Sequence, residues 1–393
     1  MKFLSHMMKY IPWVVFVIFF FALLGAIYVK LILGPKTDAE MNAVIEHDPY
    51  VISEAAQNFH NTLTVADLHT DTLLWARDPR KRYDYGHVDL PRLAEGNVKL
   101  QLFSAVTKSP RGLNFDQNDG TGPDDIALLA KAQFWPPRTW NSIYERAAFQ
   151  AERLTKLEKQ GHVLIARDRL TFEAAINSDK LVTILLTEGS HPLEGEIENI
   201  KRLYDHGYRI MGLQHFFDNE LGGSMHGITK AGLTEFGFEA VKVMDDMGII
   251  IDVAHSSEQS VRDVMSVVDS PMILSHGGIL SACPKTANRN LPDDILVEMA
   301  NRGGLIGIGY FSGVICDINP DGIADALIYA VDLLGEDHVA LGSDFDGTVT
   351  TSLDTSELAA ITQALMNKGM EKRVIAKVMG GNAVRFFGEN LPE

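Results

Sequence analysis

Eight short β-rich runs recur along this chain, each followed by an amphipathic stretch, and this alternation limits the fold more than any other feature. The runs are Val65–His69, Val98–Val106, Leu181–Glu188, Arg209–His215, Ile249–His255, Pro271–His276, Leu305–Tyr310 and Val339–Asp344. Strands separated by helices pair in parallel, because a helix-length crossover returns the chain to the same end of the sheet. Helix signals lie between the runs. Ile197, Ile200, Leu203 and Tyr204 share a face before Gly207, Ser256 and Ser257 can cap a helix, and Asp293 and Asp294 open another at its positive end. Eight such units predict an α/β fold of the (β/α)8 barrel type, with every strand C-terminus on one face. The competing doubly wound sheet carries a glycine-rich phosphate turn after its first strand. Here the first run ends in His69-Thr70-Asp71 instead.

Six of the eight runs close on a residue able to bind a metal or move a proton: His69 with Asp71, then Glu188, His215, His255, His276 and Asp344. Any one of them alone reads as a hydrogen-bonded structural residue or a cap. Independent structural roles, however, would scatter such residues along the strands rather than load one end. On an extended strand His69 and Asp71 leave the same face, which makes half a metal site. Ligand counting then places His69 and Asp71 on one divalent ion, His255 and His276 on a second, and Glu188 between them holding a shared hydroxide. Imidazole and carboxylate ligation without thiolate suits zinc, with manganese or cobalt as alternatives. His215 and Asp344 remain, one to polarise a scissile carbonyl and the other to handle a proton or an amine. The class implied is a hydrolase.

Residues 10–33 form a separate element. The stretch from Tyr10 to Val29 carries no charge, and about 20 such residues cross a bilayer as a helix. The small-residue pattern of a cleavage site is poor, so an uncleaved signal anchor is expected. Residues 1–9 would be a short cytoplasmic tail carrying Lys2 and Lys9, residues 34–47 a polar linker, and 48–393 one barrel domain outside the cytoplasm. Two long connections, Thr107–Arg169 and the glycine-rich Phe216–Thr234, would shape the substrate site, the first with helices at Asp124–Phe134 and Ile143–Lys159. A formal charge of −17 argues against nucleic-acid binding and is compatible with a homodimer. Cys283 and Cys316, the two cysteines, could pair outside the cytoplasm or stay as buried thiols.

Ordered motifs sharpen this. The chain carries Asp-Leu-His-Thr-Asp at 67–71, Asp-Leu-Pro-Arg-Leu at 89–93, Gln-Leu-Phe-Ser at 101–104, Glu-Gly-Ser-His at 188–191 and Ile-Asp-Val-Ala-His-Ser at 251–256. Ser-His at 275–276, Arg-Asn-Leu-Pro-Asp-Asp at 289–294, Gly-Ser-Asp-Phe-Asp-Gly at 342–347 and Gly-Asn at 381–382 follow. In these it resembles the membrane dipeptidase (renal dipeptidase) family of zinc metallopeptidases, within the amidohydrolase-like barrels, from about Val65 to Phe387. The resemblance implies two zinc ions on His69, Asp71, Glu188, His255 and His276, a carbonyl-polarising His215, Arg289 for the substrate carboxylate and Asp344 near the substrate amine. It implies cleavage of dipeptides, often with a D-residue at the C-terminal side, and a Cys283–Cys316 disulfide. A metal-dependent N-acyl amino acid deacylase is the alternative, and a non-catalytic binding protein on the same barrel is a more distant one. Lys99 and the Phe216–Thr234 loop depart from the family pattern, which leaves side-chain preference open.

Overall fold

The computed structural model describes residues 2–286 and 288–393, with side chains from Trp13 onward; Met1 and the side chains of Lys2 and Lys9 in the expected tail lie outside the described residues. Among the described residues there are nine parallel strands: β1 (Val65–Asp67), β2 (Val98–Val106), β3 (Val163–Ile165), β4 (Leu181–Glu188), β5 (Tyr208–Gly212), β6 (Ile250–Asp252), β7 (Ile273–Gly277), β8 (Leu305–Ile308) and β9 (Val339–Leu341). Eight close into a ring, because β2 pairs with β4 from Leu100↔Val182 to Val106↔Glu188 and β1 meets β9 at Asp67↔Leu341. These eight are the runs expected from the sequence. The ninth, β3, lies in the first long connection and pairs only with the start of β4. It is three residues long, too short to show a periodicity of its own.

Side chains alternate between two environments along the strands. Leu68, Leu100, Leu102, Val182, Ile184, Leu186, Ile210, Ile250, Ile273 and Leu305 gather with Ala66 and Ala340 in one buried cluster. Residues from all eight strands meet there, which only the barrel interior permits. Phe386 and Phe387 of the C-terminal helix join that cluster and act as a plug. The opposite set (Val65, Phe103, Leu185, Met211, Ile251, Leu274, Ile306 and Leu341) packs against the surrounding helices. Truncating one of the buried leucines or isoleucines to alanine would cost about 2–5 kcal/mol. A rigid barrel of this kind fixes where the strand ends point.

The helices carry the expected caps. Asp124 caps Asp125–Ala132, Thr234 caps Glu235–Asp246, and Ser257 accepts from the Ser260 N–H at the head of Glu258–Val267. Cys283 and Cys316 are bonded to each other, joining the connections that follow β7 and β8.

The N-terminal region differs from expectation. A helix from Trp13 to Met41 is long and apolar enough to cross a membrane, and its apolar part is not buried against the barrel. It does not give way to a flexible polar linker at residue 34. Gly34–Met41 continues as helix, and Asp38 and Asn42 at its end are buried against the barrel. Polar composition suggested a linker, but these polar groups are satisfied by partners far along the chain, which local sequence does not show.

Candidate metal centre

The C-terminal edges of six strands converge. Glu188 ends β4 and His276 lies in β7, while His69, His215, His255 and Asp344 follow β1, β5, β6 and β9 within three residues. All are buried. One oxygen is the focus: Glu188 Oε1 lies 3.2 Å from His255 Nε2, 3.4 Å from both His215 and His276 Nε2, and 3.8 Å from His69 Nε2. His69 Nε2 is also 3.5 Å from Asp71 Oδ1 and 3.9 Å from Asp344 Oδ1.

The donor set fits divalent cations. His69 Nε2 and Asp71 Oδ1 are buried with no hydrogen-bond partner, and His255 and His276 turn their Nε2 atoms toward each other at 3.0 Å. For His69 and His276, protonation on the far side of the ring explains why these lone pairs are bare. Ser275 Oγ donates to Asp252 Oδ2 at 2.5 Å, so it can only accept from the two imidazoles beside it. Its neighbours are His276 Nδ1 at 2.8 Å and His69 Nδ1 at 3.3 Å. Holding the proton on Nδ1 leaves Nε2 as the ligand atom, the usual role of groups behind metal-binding histidines.

Burial dominates the electrostatics. It drives Glu188 well above the usual carboxylate range, with nearby Asp71 adding to the effect. Asp344 is raised for the same reason: burial overrides the opposing pull of His69, and Glu188 and Asp71 add to it. Burial lowers His255 and His276 strongly and takes His215 down to about 4, so these three are neutral ligands or donors. At His69 burial acts downward, but the Asp71, Asp344 and Asp252 carboxylates reverse it and leave the ring raised. Several carboxylates crowded out of water resist ionising together, and a bound dication removes that conflict.

Backbone geometry contributes too. His255 and Asp344 have φ values of 64° and 61°, sparsely populated for residues with a side chain and common at functional sites. The single hydroxyl proton of Ser224 is shared between the carbonyls of His215 and His255 and links the two.

Arg289 reaches the centre from the connection after β7. Its Nη2 donates to the His276 carbonyl at 3.0 Å and lies 3.4 Å from His255 Nε2, while Nε and Nη1 are buried without partners. Among the described residues it makes no ion pair. Burial lowers its proton affinity, and the acids around it, Asp344 first, work against that.

All eight residues expected at the site are therefore together. The ligand atoms of His69, Glu188, His276 and Asp344 lie within 4.8 Å of one another, as do those of Glu188, His215 and His255. The four imidazoles aim at one oxygen, Glu188 Oε1, and Glu188 belongs to both groups.

Sequence reasoning assigned no role to Asp67, Asp252, Ser275 or Ser343. Asp67 repeats the Asp252 arrangement: Oδ1 accepts the His69 and Ser343 N–H groups, and Oδ2 accepts the Ser343 hydroxyl. A carboxylate inside an otherwise apolar run, as in Ile250-Ile251-Asp252-Val253, was the available signal. His226 was also unassigned. It stacks on Phe216 at 4.7 Å, its Nδ1 bonds the Phe115 carbonyl, and burial lowers it to about 3. Asn118 ties the two long connections together over the mouth, donating to the Phe216 carbonyl.

The description "Membrane dipeptidase (Peptidase family M19)" matches residues 53–391. "Dipeptidase 3" of Mus musculus is 27% identical over 325 residues, which is 77% of this chain but 63% of the mouse protein. "Dipeptidase aclJ" of Aspergillus oryzae is 30% identical over 354 residues, covering 83% of this chain and 78% of that protein. A solved metallopeptidase of Rhodobacter sphaeroides, liganded with a phosphinate mimic of the dipeptide L-Ala-D-Ala, superposes with a TM-score of 0.67 at 23% identity. That comparison covers 84% of this chain and 99% of the other, and it shows the shared barrel. The chain belongs to the membrane dipeptidase family of metallopeptidases, M19.

Proposed function

We propose that this enzyme hydrolyses free dipeptides, including those with a C-terminal D-residue, at a centre of two zinc ions. The observation that carries this reading is the buried, unpaired fork of Arg289 beside the convergent imidazoles. A buried guanidinium with a free donor on each of its edges, in a water-poor site, calls for a carboxylate. A dipeptide presents one next to its scissile bond. His69, Asp71, Glu188, His255 and His276 would hold the ions, which would supply an activated water and polarise the carbonyl.

The protein's own groups do the rest. Neutral His215 can give a hydrogen bond to the carbonyl oxygen as it gains charge. Asp344 can receive the substrate ammonium and carry a proton to the leaving nitrogen. A substrate charged at both ends and recognised at both is limited to two residues. The structure of the relative with an L-Ala-D-Ala mimic supports a D-residue at the second position.

The helix from Trp13 to Met41 would anchor the enzyme, with the barrel outside the cytoplasm. Lys2 and Lys9 before the span favour this side, and so does a disulfide, which persists in oxidising compartments. The test is made on the full-length protein in detergent. Elemental analysis counts the zinc, and turnover is compared on L-Ala-D-Ala and its N-acetyl form. Two zinc ions with turnover of the free-amine dipeptide alone support the reading. Comparable turnover of the acetylated form would move the assignment to a deacylase.

A further inference from the structure

The connection that carries Asp344 is held in an unfavourable shape. Asp344, Asp346 and Thr348 have φ values of 61°, 63° and 61°, three left-handed side-chain-bearing residues at alternate positions. Each is sparsely populated for a residue with a side chain and persists only where partners over-determine it. Several of those partners come from the end of the helix that continues the apolar N-terminal segment and from the residues just after it. Asn42 Oδ1 accepts the Thr348 N–H at 2.9 Å, and Ile45 and Ala43 pair with the Thr351 backbone. Asp38 Oδ2 accepts from Arg77 Nε at 2.8 Å, and Arg77 Nη2 reaches Asp346 Oδ1 at 2.7 Å. Asp38 is locked in turn by Asn42 Nδ2 at 2.9 Å.

Asp346 is the hub of this brace. Its carboxylate also accepts the His87 N–H and the Thr72 hydroxyl, and its carbonyl accepts Trp75 Nε1. Burial alone would raise this carboxyl, but Arg77 and His87 overcome that and hold it well below the usual range. Asp38, Arg77 and Asp346 thus form a buried ion chain from the end of the N-terminal helix to a point two residues from Asp344. The space is tight, since a Cβ on Gly86 would sit 2.4 Å from Arg77 Nη1.

We propose that Asp38 and Asn42 are positioning residues for catalysis: they hold the 344–348 connection in its left-handed form and so place Asp344 at the metal centre. The anchor helix is then part of the active-site framework as well as a tether. This rests on the reading of Asp344 as the group that meets the substrate amine.

The test is a double-mutant cycle on the full-length protein in detergent, with L-Ala-D-Ala as substrate. Asp38→Ala is expected to lower kcat/KM about 10- to 100-fold while bound zinc is retained, as a misplaced catalytic carboxylate should. In an Asp344→Asn background the same change should matter less than about threefold, because both act through one carboxylate. Asn42→Ala, which removes the bond to Thr348, should behave alike and carries the cycle if Asp38→Ala fails to fold. Effects that multiply, or single variants within about threefold of wild type, would overturn the proposal. Loss of zinc in Asp38→Ala would put the effect on Asp71 through Thr72 and overturn it as well. Wild-type turnover by Asp344→Asn would instead remove the amine-binding reading, and the positioning role with it.

Discussion

Replacing Asp252 by asparagine tests the tautomer argument at the centre with almost no change in shape. Asp252 Oδ1 accepts two backbone N–H groups, Ala254 at 3.0 Å and Ser275 at 2.9 Å. An asparagine must leave its oxygen there, since an amide nitrogen facing two donors would be worse. Its Nδ2 then faces Ser275 Oγ, where Oδ2 now accepts at 2.5 Å. The hydrogen bond reverses, and the hydroxyl turns its proton toward His276 Nδ1. That stabilises the tautomer protonated on Nε2, which cannot bind a metal. Binding must now break a buried hydrogen bond worth about 1–3 kcal/mol, so zinc affinity should fall roughly tenfold to a hundredfold. Ser275→Ala removes the relay without reversing it and should lose less. The assay is zinc competition with a chelator at neutral pH, with thermal melting of the metal-free proteins as control. Burial already raises the Asp252 carboxyl, so losing its charge should cost the metal-free fold little. Zinc affinity within about threefold of wild type for Asp252→Asn would refute the proposed proton arrangement.

Two further changes probe the reacting groups directly. A Cβ on Gly347 would lie 2.3 Å from Asp344 Oδ1 and 2.9 Å from Asp71 Oδ2, so Gly347→Ala should displace both carboxylates and cut kcat/KM about a hundredfold in steady-state assays. Arg289→Lys keeps the charge but loses the planar fork. It should raise KM for L-Ala-D-Ala roughly tenfold to a hundredfold with a smaller change in kcat, and an unchanged KM would place the substrate carboxylate elsewhere.

Which features were legible in the sequence follows from the range of the forces involved. The barrel strands showed because a parallel strand buried on both faces needs a nearly continuous apolar run, and that is local information. The ligands showed because one residue type recurred at the same end of strand after strand. The conformation that presents them did not show. His255 and Asp344 hold positive φ values without glycine, and nothing in the surrounding residues announces this. Asp38 and Asn42 looked like linker residues because their partners, Arg77 and Thr348, lie 39 and 306 positions away.

The two strand-end aspartates show the same limit from inside the site. Asp67 and Asp252 sit in apolar runs, where an unpaired carboxylate would cost several kcal/mol. Each is made tolerable by a serine on a neighbouring strand, Ser343 for Asp67 and Ser275 for Asp252, through one hydroxyl and one backbone N–H. The two pairs do different work. Ser343, with its one proton on Asp67 Oδ2, accepts the Phe345 N–H while Asp67 Oδ1 accepts the His69 N–H, so that pair fixes the chain around a ligand and around Asp344. Ser275 turns to the rings of His69 and His276, so that pair fixes their protons. One Asp–Ser unit, used twice across adjacent strands, thereby sets both the positions and the protonation of the ligands. Its halves lie 276 and 23 residues apart, so only the closed barrel reveals it as a unit.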